Sequence, residues 1–486
     1  MKDLTQKAID VCVGEGASYA DIRIVTIMDE DITIKRGNID VLNLTTRTGF
    51  GIRTIANGGL GFAGSYLLNT PEIERVAKLS VRIAKASGKT RKKPIRFVDE
   101  PAVEDTYITP FKKDPFSIPT EDKISILMEA DKRMREASDK VKMTQSDYRA
   151  FREDKIFASN EGAFINQQIT FCGGGISVTV AEGGKQPQTR SLPASFRGDY
   201  STQGFEYFEK LNLIDLSEKS VDEAVQLLDA KQCPSGKMTL LLDGNQLMLQ
   251  VHESCGHPTE LDRVLGTEAA YAGTSFMTPD LVGKLKYGSD LVNITADSTL
   301  HGGLGTFGYD DEGVSARRTE LIKEGLFVGY QSSRETAAIL GLERSSAGMR
   351  ADNAQHLPLI RMVNINLEPG DWNRDELIAD TKYGILLSTN KSWSIDDKRL
   401  NFQFGTEIAW EIVNGEIGQI FKNPTYAGIT PEFWNAMDAH TKDDWRIWGT
   451  PNCGKGQPGQ VMYVAHGVGM ARFQNVDVGI TKEEGK

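Results

Sequence analysis

The chain has 486 residues, too many for one ordinary domain and enough for two or three, each with ample core. It is 39% hydrophobic and 25% charged with a formal net charge of −11, and a pI near 5.3, which speaks against a nucleic-acid-binding surface built on general basicity. Five scattered cysteines form no secreted disulfide framework; with no membrane-length apolar run and no signal-peptide core at the start, a cytoplasmic protein is expected.

In chain order, residues 3 to 13 suit a short helix closed by Gly14 and Gly16. Alternating stretches follow, Tyr19–Ile27, Asp31–Lys35 and Gly49–Ala56, interrupted by Arg36-Gly-Asn and Asn57-Gly-Gly, the residue types hairpin turns require. The glycines after Asn57 open no helix in a Gly-x-Gly-x-x-Gly pattern, so they read as turns and not as a nucleotide loop. Pro71–Ala86 reads as an amphipathic helix with proline in its first turn. Residues 88–118, rich in Pro, Lys and Asp, read as a linker, and the basic run Lys85–Lys93 as a solvated charge run.

A second helix–strand unit follows. A helix is expected over Thr120–Ala137, with acids in its first turn. Strands then run across Val141–Val180, with breaks at Asn160-Glu-Gly and Cys172-Gly-Gly-Gly, and a helix covers Ser217–Ala230. Beyond it the chain is rich in strands and glycines, Asn414-Gly marks a hairpin, and short helices are expected at Ser333–Leu340, Asp375–Asp380 and Pro431–Ala439. The fold class is α+β and multi-domain: two small α+β units, 1–110 and 111–232, then a large β-rich domain, 233–486.

Chemistry concentrates in Gln250-Val-His-Glu-Ser-Cys-Gly-His-Pro-Thr-Glu260. A buried-strand run, Met238-Thr-Leu-Leu-Leu, leads into a helix from Asn245 that carries His252, Glu253 and His257. The pattern is H-E-x-x-x-H, one residue longer than the zinc-peptidase H-E-x-x-H, whose histidines share one helix face. At i and i+5 an ordinary helix turns the rings roughly 140° apart, so one shared metal needs a widened or broken turn. A π-bulge would supply it, with Gly256 lending backbone freedom and Pro258 ending the helix. The bland reading is two hydrogen-bonded structural histidines, yet two of only six in the chain fall here. A catalytic zinc wants three protein ligands, and Cys255, His301, Cys453, His466 and several acids remain open as the third.

The motif His252–His257 together with Asn452-Cys-Gly-Lys resembles the TldD branch of the TldD/PmbA metallopeptidase family, once labelled modulators of DNA gyrase. Gly308-Tyr-Asp-Asp-Glu-Gly313 and Pro358-Leu-Ile-Arg-Met-Val-Asn364 are similar to that family too, and the likeness covers essentially the whole chain. It implies a metal held by His252, His257 and Cys453, with Glu253 as catalytic base. It further implies hydrolysis of small or unfolded peptides inside a dimer, either of identical chains or with a metal-free TldE/PmbA-like paralogue. Zinc (Zn2+) suits two imidazoles and a thiolate, although iron or cobalt could occupy such a set. The family-like Asp310-Asp-Glu gains no role from the resemblance.

Other classes compare poorly. A zinc deaminase would show H-x-E and P-C-x-x-C, and neither is present. Direct DNA binding is disfavoured by the acidic balance. A non-catalytic peptide-binding or regulatory subunit is the runner-up; joint retention of His252, Glu253, His257 and Cys453 speaks against it.

Overall fold

A computed structural model describes residues 1–479; residues 480–486, the end of the expected 233–486 segment, lie outside it. The mixed α and β architecture is as expected. An eight-stranded sheet runs in the order β3-β2-β1-β5-β6-β4: β1 is Tyr19–Lys35, β2 Asn38–Ala56, β3 Gly59–Ser65, β4 Glu104–Ile108, β5 Val141–Ser159 and β6 Phe164–Val180. Two short strands, β7 (Gln188–Leu192) and β8 (Asp199–Ser201), also pair with β6. The first two expected segments, 1–110 and 111–232, thus feed strands into one sheet.

Period-two alternation decides which face meets what. On β1, Ala20, Ile22, Ile24 and Ile32 join helix-covered cores. These helices are α1 (Lys2–Gly14) and α2 (Thr70–Gly88) over the first strands, with α3 (Thr120–Glu136) and α5 (Leu213–Asp229) over the rest. The alternate residues Val25 and Ile27 pack with Phe151, Phe171, Leu304 and Ala465 against the C-terminal segment. Hairpin turns stand where Arg36-Gly37, Asn57-Gly58 and Asn414-Gly415 predict them, every residue of the three pairs at positive φ.

Several expectations need correction. Cys172-Gly-Gly-Gly does not break a strand: β6 passes straight through it. The glycines are there because a Cβ at Gly173, Gly174 or Gly175 would overlap Asp199 O, Asp147 O or the Gly198 Cα. The 88–118 linker contains β4, which pairs in parallel with the start of β6. A short helix, α4 (Phe205–Leu211), was not expected, and α5 begins at Leu213 rather than Ser217. Pro431–Ala439 divides into a helix, Thr430–Asn435, and a strand, Met437–His440, which pairs with the strand Ala471–Val478.

In the C-terminal segment, strands Tyr383–Ile395, Gly236–Leu242, Ala471–Val478, Thr425–Ile429 and Asn401–Val413 are paired in that order, and the last pairs back to the first. The pairing closes on itself. Helix α6 (Gly244–Val251) is buried at every residue and packs against Tyr383–Ile395 and Gln460–Val468. Its start is set by Asp243, whose carboxylate accepts from Gly244 N at 3.0 Å.

The loop Asp310-Asp-Glu fastens this segment to the sheet. Asp311 receives Arg23 Nη1 at 2.9 Å and Lys155 Nζ at 2.5 Å. Glu312 receives Arg53 Nη1 at 2.7 Å and Arg334 N at 2.7 Å. Asp310 turns inward and accepts backbone N–H groups from Glu312, Val314 and Met349. Asp311 and Glu312 thus hold the two halves together, while Asp310 braces the loop itself.

Candidate metal centre

Helix α6 widens where the sequence demanded it. His252–Gly256 forms one turn of π-helix, followed by a 3₁₀ turn, His257–Thr259, with Pro258 inside it. The wider turn swings His257 back toward His252: the ring centroids are 4.8 Å apart and the planes lie at 89°. Gly256 has an ordinary right-handed conformation, φ −56, so the expected backbone freedom is not what it supplies; a Cβ there would overlap the Met362 sulfur and push that side chain away.

The third partner comes from 196 residues further on. Cys453 lies in the strand Arg446–Lys455, next to an irregularity between Thr450 and Cys453 in its pairing with Gln460–Val468. Its Sγ sits 3.8 Å from His257 Nε2. One ligand atom each from His252, His257 and Cys453 lie within 4.8 Å of one another, and all three residues are buried. Arg361 donates to Cys453 O and, at 3.1 Å, to Gln460 O, so the family-like segment Pro358–Asn364 braces the strand pair that carries the thiol.

Hydrogen bonds fix which nitrogen of each histidine stays open. His466 Nδ1 faces Ile365 O at 3.1 Å, and a carbonyl only accepts, so the proton is on Nδ1. His466 Nε2 is then a bare acceptor for His252 Nδ1 at 2.9 Å, which leaves His252 Nε2 as a free lone pair. His257 Nδ1 donates to Glu260 Oε2 at 2.9 Å and keeps its Nε2 free in the same way. Lys455 holds Glu260 at 3.4 Å and Asp262 at 2.7 Å from below. This is the outer shell a ligating histidine needs.

Electrostatics agree with the lone-pair count. Burial pushes His252 below its usual range, and His257 and His466 well below, so all three rings are neutral near pH 7. Burial alone would raise the Cys453 thiol; its contact with His257, where sulfur and Nε2 compete for one proton, and the positive charge of Arg361 outweigh it and hold the thiol below its usual 9.0. At tetrahedral zinc, sulfur and nitrogen ligands stand about 3.6 Å apart. Two neutral imidazoles and an acidified thiol at this spacing form a donor set that fits such an ion.

Of the other third-ligand candidates, Cys255 is fully buried in the hydrophobic core and outside the cluster, His301 is exposed, and His466 stands behind His252. Glu253 is beside the cluster and not in it; its Oε2 accepts from Arg399 Nη1 at 2.5 Å. Sequence reasoning missed Arg399, Glu260 and Lys455. Glu260 had a local signal, lying three residues after His257 in a helical stretch; Arg399 had none.

Comparison with known proteins follows the same lines. The models for domain 1, the central domain and the C-terminal domain of PmbA/TldA metallopeptidases match residues 20–84, 113–228 and 235–479. A metalloprotease of Methanocaldococcus jannaschii is 32% identical over 460 residues, covering 94% of this chain and 96% of its own. A zinc metalloprotease TldD homolog of Saccharolobus solfataricus is 23% identical, over 88% of this chain and 90% of its own. The crystal structure of TldE from Thermococcus kodakarensis shares the fold, with a TM-score of 0.71 at 17% identity over 98% of this chain and 100% of that one. Matched by all three domain models in order, the chain belongs to the PmbA/TldD family of metallopeptidases.

Proposed function

We propose that the chain is a zinc-dependent peptidase in which His252, His257 and Cys453 hold the ion and Glu253 is the general base. The observation that carries this reading is the convergence of two open imidazole nitrogens and a lowered thiol within 4.8 Å, with a carboxylate that is not part of the set next to them. The name of the Saccharolobus solfataricus relative supports zinc.

A zinc ion held there would polarise a peptide carbonyl and make a water more acidic. Glu253 takes the proton of that water as its oxygen attacks the carbonyl carbon, and later passes it to the leaving amine. His466 and Glu260 keep His252 and His257 in the tautomers that present Nε2. As a thiolate ligand, Cys453 would leave such a water less acidic than three imidazoles would. Small or unfolded peptides are the substrates, bound extended through their backbones, which gives little side-chain preference. The working assembly is a cytoplasmic dimer, of identical chains or with a metal-free TldE/PmbA-like partner. Among the described residues no helix is long and apolar enough to cross a membrane.

Metal content per chain, measured on protein purified without a metal-binding tag, tests this reading. About one zinc per chain is expected, absent in His252→Ala and retained in Glu253→Gln, with peptide hydrolysis lost in both. Zinc-free protein after zinc is supplied, or a Glu253→Gln variant with appreciable turnover, would overturn it.

A further inference from the structure

We propose that Arg399 is a further catalytic residue of this centre, supplying the positive charge that meets the carbonyl oxygen as it becomes an oxyanion. The inference rests on the peptidase reading above. Arg399 lies between the strands Tyr383–Ile395 and Asn401–Val413, at φ 62, a left-handed conformation that an L side chain seldom adopts. The turn is held from several sides. Arg399 N donates to Asp396 O at 2.9 Å, Thr430 Oγ1 donates to Arg399 O at 3.1 Å, and Thr274 N and Phe276 N donate to Asp397 O and Lys398 O. Backbone strain sustained by this many bonds is characteristic of functional sites.

The side chain explains what that strain achieves. Nη1 donates to Glu253 Oε2 at 2.5 Å, the one carboxylate that pairs with Arg399 among the described residues. Nε is buried and has no partner. A guanidinium with an unused N–H group therefore stands against the base, Glu253, which directly follows His252 in the chain.

Charge conservation then assigns its role. Before reaction, Arg399 and Glu253 neutralise each other. As the water oxygen bonds to the carbonyl carbon, the carbonyl π pair moves onto its oxygen and the water proton moves to Glu253. Negative charge thus leaves Glu253 and arises on the substrate oxygen. Arg399, whose side chain is 15% exposed, would then lose its one carboxylate partner unless that oxyanion replaces Glu253. When the oxygen pair re-forms the carbonyl, the C–N bond breaks and Glu253 gives its proton to the amine nitrogen, restoring the original pair. The contact with substrate is made only as the oxyanion forms, so it lowers the barrier rather than strengthening ground-state binding.

The test uses full-length, metal-loaded protein with Arg399→Gln and Arg399→Lys, each checked for unchanged metal content. On an N-acetylated, C-amidated, internally quenched alanine peptide, Arg399→Gln should lose about 10²–10³ in kcat with KM nearly unchanged, and Arg399→Lys should recover part of it. By calorimetry, the same peptide with its scissile amide replaced by a phosphinate should bind Arg399→Gln about 100-fold more weakly than wild type, while the unmodified peptide binds both alike. An unchanged kcat, equal phosphinate affinity, or a loss confined to KM of peptides with a free C-terminal carboxylate would overturn the assignment; the last would make Arg399 a terminal-carboxylate anchor. A wild type that cleaves no peptide would sink the peptidase reading by itself, and the phosphinate comparison would still decide the question for Arg399.

Discussion

Two buried, acid-bearing runs in the C-terminal segment, His252–Glu260 and Asp310–Glu312, use their polar atoms in opposite ways. Every acid of Asp310–Glu312 is matched: Asp311 by Arg23 and Lys155, Glu312 by Arg53 and Arg334 N, Asp310 by three backbone N–H groups. In the other run the outward nitrogens of His252 and His257 are matched by His466 and Glu260, while the inward ones meet only each other and Cys453. Saturated polar groups hold a structure together; lone pairs left to converge are what a metal or a substrate can use. Buried acids and histidines can thus belong to either kind, and only their partners tell which.

The largest effect that tests this contrast is on stability. Asp311→Ala leaves Arg23 and Lys155 buried without their carboxylate and should cost about 3–5 kcal/mol in urea unfolding of metal-free protein. His252→Ala, which removes a neutral ring, should cost clearly less. Equal costs would erase the distinction. The pH dependence should differ too. Burial opposes ionisation of Asp311, but Lys155 and Arg23 outweigh it and hold the carboxyl below its usual 3.8. A depressed carboxyl stabilises fully above its unfolded value and loses that contribution as pH falls through the lower native one. His252 and His257, depressed below 6.5 by burial, stay neutral until more acid conditions, where protons compete with a metal. Acid titration should therefore release metal only below pH 6.5, and open the Asp311 contacts only below pH 3.8.

Smaller effects belong to the groups that aim the ligands. Glu260→Gln or His466→Phe should weaken zinc affinity about 10–100-fold in a chelator competition. Both variants binding zinc as wild type does would mean that ring orientation is set by packing around α6 alone.

How much of this could be read beforehand follows from distance along the chain. The i, i+5 histidine spacing required a widened turn, and Gly256 and Pro258 marked where it would end; all of that is local. Alternation and Asn-Gly pairs fixed the hairpins for the same reason. Cys453 was one candidate among several on its own chemistry, and became specific only through family resemblance. Arg399 and His466 reach the site from 146 and 214 residues away with no pattern around them. Gly173–Gly175 misled because glycine answers two needs, a turn or a close approach, and the crossing segment at Asp199 that required the second lies outside any local window.

The finest discrimination is between the two cysteines, Cys255 and Cys453. Cys255 stands inside the histidine motif and is fully buried, yet burial pushes its thiol well above the usual range and Tyr287 is its polar neighbour. A thiol kept protonated behaves as a small apolar group. Cys255→Ala should therefore leave zinc content and turnover intact and lower stability by about 1 kcal/mol, as for loss of one buried methyl-sized group. Cys453→Ala should abolish or strongly weaken zinc binding instead. The reverse outcome, metal lost from the Cys255 variant alone, would mean that the π-turn presents its own sulfur. Cys453 would then belong with the structural residues, and proximity in sequence would have been the better guide to the ligand set than proximity in space.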